Sequence, residues 1–183
     1  AWYRQKTDRC GEWKAEGGNQ VDEVRFVVPG EPTGKGRPQT KVMYNPNGFK
    51  DKKTGKVRNT MVNNVTPKKT VIYENLVKCI YHEQCQDFRF PDGAMLDMRI
   101  LAYYGIPKSK SKKIKEQMAK GLLRPIKKPD MDNVVKVIAD SLNTIAYRDD
   151  TQIVDCQCRK FYSENPRVEV IIKMVEVKSE AHG

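Results

Sequence analysis

Residues 130–145 place apolar and polar side chains at helical spacing, and this stretch constrains the chain more than any other. With Asp132 at zero on a helical wheel, Asn133, Lys136, Asp140 and Asn143 share an arc of roughly 100°. Val134, Val135, Val137, Ile138, Ala139, Leu142 and Ile145 fill the rest. Such a helix buries one face and keeps the other wet, so it must lie on a second layer of structure. Asp130 and Asp132 stand at its entry, and Asp149-Asp150 follow its exit.

The remaining pattern supplies that second layer. Val24, Phe26 and Val28 alternate with Glu23 and Arg25, which predicts a strand. The Gly/Pro-dense run from Pro29 to Pro38 reads as a loop, and residues 39–65 read as irregular and basic. Within them, Asp51 to Lys56 has the composition of a hairpin turn. Thr66-Pro67 opens a helix to about residue 86, with Thr66 as cap and Ile72, Leu76, Cys79 and Ile80 as its apolar stripe. Leu96, Met98, Ile100 and Ala102 share one face of a strand over 95–104. Ser111 caps a short, very basic helix ending near Gly121, and strands over 152–162 and 167–177 close the chain. This order predicts an α/β (α+β) fold: a mixed β-sheet with helices packed on it. Residues 1–20 read as an N-terminal extension, 21–177 as one domain and 178–183 as a tail.

Charge narrows the partners. The 183 residues carry 34 Lys+Arg against 23 Asp+Glu, a formal charge of +11. A basic excess of this kind favours nucleic acid. No apolar run approaches the roughly 20 residues that span a bilayer, so no membrane partner is expected. Five cysteines without framework spacing indicate free thiols in a reducing, cytoplasmic setting. Cys79, His82 and Cys85 offer zinc-type donors, with Cys156 and Cys158 on one strand face as two more. On a helix, however, the first three spread over about 120°, so buried or incidental thiols are the preferred reading.

The aspartates carry the chemistry. Capping by Asp132 and an Asp132–Lys136 surface ion pair would be the ordinary use of these residues. Neither explains Asp130 or the Asp149-Asp150 pair, and like charges so close repel unless a cation or proton offsets them. In an extended lead-in after Pro129, Asp130 and Asp132 project from one side, where both could grip one ion. Hard oxygen donors favour Mg2+ or Mn2+ over zinc. In a basic domain this points to phosphodiester hydrolysis, with Lys136 offsetting charge on the scissile phosphate.

Three stretches then match a known family: Lys128-Pro129-Asp130-Met131-Asp132-Asn133-Val134-Val135-Lys136, Asp140-Ser141-Leu142-Asn143, and Tyr147-Arg148-Asp149-Asp150-Thr151-Gln152-Ile153. They resemble the RusA family of Holliday junction resolvases. Val28 to Pro38 and Tyr104 to Lys113 are similar to that family's opening loop and to its sheet-to-helix segment. The resemblance spans roughly residues 21–177; residues 1–20 match nothing in it, and Gln39 replaces a frequent basic residue.

The resemblance implies a homodimeric, Mg2+-dependent endonuclease that makes paired nicks in four-way DNA junctions, with Mn2+ as an alternative ion. It implies Asp130, Asp132 and Asp150 as metal-binding carboxylates and Lys136 as the required lysine. Asp149 and Asn133 rank below them, and Asp140 falls outside the carboxylate set. Lys35, Arg37, Lys41, Lys52, Lys53, Lys68 and Lys69 are the expected DNA contacts. Family members are bacterial or phage-borne, so a bacterial cytoplasm and nucleoid are the expected location. A junction-binding protein without catalysis is the alternative reading. A Mg2+-dependent nucleotide enzyme is disfavoured, since no phosphate-binding Gly-rich loop precedes a helix.

Overall fold

Strict alternation of apolar residues builds the sheet. In β1 (Glu23–Pro29), β4 (Leu96–Gly105) and β6 (Arg167–Met174), every second side chain is buried. Together with β5 (Ile153–Ser163) they form one mixed sheet in the order β1-β6-β4-β5. The β1–β6 and β6–β4 pairs are antiparallel, and β4–β5 is parallel. The computed structural model describes residues 23–175. The extension read at 1–20 and the tail read at 178–183 lie outside them.

A parallel pair requires a crossover connection. Here the β4-to-β5 crossover contains α2 (Lys112–Ala119), α3 (Met131–Leu142) and a 3₁₀ turn (Asp150–Gln152). Every residue of the central acidic motif therefore lies between two neighbouring strands. The third helix, α1 (Lys68–Cys85), packs on β1 and α3. Val134, Val137, Ile138 and Leu142 of α3 meet Tyr73, Val77 and Tyr81 of α1 over the apolar sheet face. Burying each such side chain contributes about 1.5–3 kcal/mol.

The mixed α+β architecture agrees with the sequence reading, as do the strands and the basic helix. Two local expectations are corrected. Residues 39–65 are not irregular: β2 (Gln39–Lys50) and β3 (Val57–Val65) form an antiparallel two-stranded ribbon. Val42 faces Val62, Met43 faces Met61, and the register shifts between Tyr44 and Phe49. The ribbon is exposed on both faces, so no alternation of burial marked it in the sequence. Its turn is the expected one: Asp51 Oδ1 accepts from the backbone N–H of Lys53 (2.8 Å) and Thr54 (2.9 Å).

The second correction concerns α1. Its fully buried residues are Thr70, Tyr73, Val77 and Tyr81; of the expected stripe, Leu76 and Ile80 pack partly buried against the core, while Ile72 is 69% exposed and Cys79 is exposed. Polarity misled the pattern, because Thr70 and Tyr81 satisfy their hydroxyls inside. Tyr81 donates to Phe88 O (2.6 Å), and Thr70 Oγ1 accepts from Gly36 N (3.1 Å). The cap also moves one residue, to Pro67, and no side chain caps the helix.

Candidate active site

The acidic motif sits where the chain enters α3. The Lys128-Pro129 peptide is cis, and Asp130 follows in extended conformation as the N-cap. Helical geometry begins at Met131. The extended lead-in therefore ends at Asp130, and Asp132 belongs to the first helical turn. This corrects the expectation that both project from one extended strand.

Neither ordinary use of these aspartates is realised. Asp130 makes no side-chain cap hydrogen bond. Asp132 is not the cap, and among the described residues it forms no ion pair with Lys136. Both carboxylates are exposed at the positive end of the helix dipole, where negative charge is favoured. Lys136 is exposed one turn further along.

Asp150 comes to α3 from beyond the helix. Tyr147 is buried and donates to Ala139 O (2.9 Å), and Phe90 N donates to Ala146 O (2.8 Å). Arg148 N donates to Gln152 Oε1 (3.0 Å), and Gln152 Nε2 donates to Pro91 O and Ala94 O. These bonds fix the 3₁₀ turn against α3. Burial pushes the Asp150 carboxyl above its ordinary value, with the charges of Asp140 and Asp149 adding to the rise. Lys136 offsets part of it. Asp149 is spent otherwise: its Oδ1 accepts from Thr151 N at 3.0 Å and caps the turn. Bonds from Thr151 hold its carboxyl below the usual value.

The loop between β1 and β2 braces the motif. Gly30 N donates to Pro166 O (3.0 Å), and Glu31 Oε1 accepts from Gly105 N (2.9 Å). Lys35 N donates to Asn133 O (2.8 Å). Gly34 lies so close to the motif that an added Cβ would stand 2.6 Å from Pro129 Cβ and 3.0 Å from Asn133 Cβ. Asn133 is thereby a docking point for the loop. The Lys35 ammonium is shared by Glu74 (2.5 Å) and Asp140 (2.8 Å). Lys35, one of the expected DNA contacts, here ties the loop to α1 and α3.

Sequence reasoning missed Lys160 and Glu74. Lys160 reaches from β5 to donate to Lys127 O (2.6 Å) and Pro129 O (3.0 Å), lying 5.1 Å from the Tyr104 ring centroid. It holds the turn immediately before Asp130. Its only sequence signal was a lysine on a strand, which is ordinarily a surface residue.

The expected DNA contacts distribute over one loop, one ribbon and one helix start. Arg37 and Lys41 are exposed at the ribbon's base, Lys52 and Lys53 at its tip, and Lys68 and Lys69 in the first turn of α1. Of the cysteines among the described residues, Cys85 and Cys158 have thiols pushed up to about 11 by burial. His82 pairs with Asp87 (2.6 Å) on the surface. Among the described residues, no three Asp, Glu, His or Cys side chains gather at metal-ligand spacing. Asp130, Asp132 and Asp150 therefore do not form a closed cage. No helix among the described residues is long and apolar enough to cross a membrane.

The site thus combines a mixed sheet, carboxylates at a helix entry that neither cap nor pair, and a strongly basic chain. Comparison with known proteins makes the class specific. Residues 29–173 match the family described as endodeoxyribonuclease RusA, and the chain belongs to that family. It is also 38% identical over 157 residues to the uncharacterized protein YqaN of Bacillus subtilis (strain 168), covering 85% of this chain and 99% of that protein.

Proposed function

We propose that this chain is a Mg2+-dependent, structure-selective endonuclease that resolves four-way DNA junctions by paired symmetric nicks, acting as a homodimer. One observation carries the reading: Asp130 and Asp132 are left unused by both capping and ion pairing, at the entry of a helix that also presents Lys136. Uncommitted carboxylates are costly to keep together unless they have an external partner. Family membership supports deoxyribonuclease chemistry.

The donor set fits a hard divalent cation, since every candidate ligand is a carboxylate oxygen. Asp130, Asp132 and Asp150 would hold it, and the raised Asp150 carboxyl is relieved by a neighbouring positive charge. When bound, the ion supplies Lewis-acid polarisation of the phosphoryl oxygen and a more acidic water. The protein does the rest. Lys136 places a positive charge beside the site, where the scissile phosphate gains charge in the transition state. Lys160 and the braced loop hold the backbone leading into Asp130. Arg37, Lys41, Lys52, Lys53, Lys68 and Lys69 contact phosphates, which sets position and carries little sequence information. Lys68 and Lys69 lie at the start of α1, whose dipole also favours an anion.

The test is a synthetic four-way junction incubated with purified protein, with Mg2+ and with chelator. Symmetric nicks that need Mg2+ and vanish in Asp132→Asn are expected. Junction binding with no cleavage under any divalent ion would replace this reading with a purely binding one.

A further inference from the structure

Between Lys108 and Lys128 the chain carries eight lysines and Arg124 against a single acid, Glu116. Most of the +11 net charge is therefore concentrated in α2 and its flanking loops. This segment runs directly into Asp130. Among the described residues none of these nine cations forms an ion pair. Like charges so dense repel one another, and a polyanion relieves that repulsion.

The segment is tied to the sheet at a few points only. Met118 is buried, the Arg124 guanidinium stacks 4.1 Å from the Phe161 ring centroid, and Lys127 lies 5.2 Å from that of Tyr104. These contacts leave three large apolar side chains in solvent: Leu122 is 72% exposed, Leu123 40% and Ile126 101%. Ile126 stands four residues before Asp130, on a loop whose next carbonyl, that of Lys127, is held by Lys160. A fully exposed isoleucine on a braced basic loop beside carboxylates suits a partner that is both anionic and apolar. Branched DNA is such a partner. It offers phosphate rows along its arms and, at its centre, base-pair faces that intact duplex keeps stacked.

We propose that residues 108–128 grip the duplex arm that enters the active site, with Ile126 lying against the base pair left unstacked at the branch point. This rests on the proposed nuclease reading and adds to it the surface that selects branched over linear DNA.

Binding is measured in chelator, on a labelled four-way junction and on linear duplex of the same sequence, over a range of salt. In Lys110→Gln/Lys112→Gln/Lys113→Gln/Lys115→Gln, the slope of log affinity against log salt should fall by about 0.9 for each phosphate no longer neutralised. Matched neutralisation of Lys50, Lys52, Lys53 and Lys56 in the ribbon should change it less. Ile126→Ser should weaken junction binding about tenfold and leave duplex binding unchanged, while Ile126→Met retains selectivity. Ile126 is outside the core, and a thermal melt confirms that each variant folds.

An unchanged slope in the quadruple variant overturns the grip. Equal losses on junction and duplex, or none, overturn the role of Ile126. Loss of binding to anionic vesicles without loss on DNA reassigns the surface to membranes and also overturns it. Failure of the nuclease reading looks different: wild type then binds the junction through this segment and never nicks it.

Discussion

The ammonium of Lys35 lies 2.5 Å from Glu74 Oε1 and 2.8 Å from Asp140 Oδ2, joining the loop after β1 to α1 and α3 at one point. Burial alone would lower its pKa. The hydrogen bonds and charges of Asp140 and Glu74 outweigh burial and hold it above the ordinary 10.5.

Removing that ammonium strands two carboxylates that are only 17% and 24% exposed. Lys35→Met should lower stability by about 1–3 kcal/mol, less than for a fully buried pair. A group with a raised folded pKa stabilises fully below its unfolded value and loses that contribution as pH climbs through the folded one. The gap between wild type and variant in urea melts should hold from neutral pH to about pH 10 and shrink above 10.5. A gap that vanishes at neutral pH would contradict the anchoring role.

Lys136 and the aspartates should separate chemistry from binding. Asp130→Asn, Asp132→Asn and Asp150→Asn should each abolish nicking while junction binding in chelator persists or tightens. Lys136→Ala should slow single-turnover cleavage by about 10²–10³, the effect of losing one transition-state donor. Its affinity should change only slightly; a collapse of binding would make Lys136 a positioning residue.

Gly34→Ala tests the brace between loop and motif. The new methyl would meet Pro129 Cβ at 2.6 Å and Asn133 Cβ at 3.0 Å. Overpacking of this kind costs about 1–3 kcal/mol. Cleavage should fall more than junction affinity, because the displaced atoms border Asp130 and Asp132. Wild-type turnover in this variant would show that the loop does not set the motif's position.

Lys160→Met keeps the aliphatic stem and removes the donor to Lys127 O and Pro129 O. Loss of these charge-assisted bonds should cost about 1–3 kcal/mol, or roughly 2–4 °C in melting temperature per kcal/mol. The Mg2+ concentration needed for half-maximal nicking should rise, since Asp130 follows Pro129 directly. A lower melting temperature with unchanged Mg2+ dependence would limit Lys160 to stability.

Buried alternation made β1, β4 and β6 legible, because side chains on successive strand positions face opposite sides and only one side here meets helices. α3 was legible for the same reason at helical period. The β2–β3 ribbon was not, since both of its faces meet solvent. α1 was read only in part: Leu76 and Ile80 do pack on the core, but Tyr73, Tyr81 and Thr70 face inward while Ile72 faces out.

Local spacing alone settled the acidic motif, its helix and the basic character of the domain, because those depend on neighbours a few residues apart. Tertiary structure decided which charges remain free. Lys35 meets Glu74 and Asp140 from positions 39 and 105 residues away in the sequence, and Lys160 reaches back over 30 residues to the turn before Asp130. Ion pairing is a matter of distance in space, so only the folded chain separates the lysines that brace the site from those left for a partner.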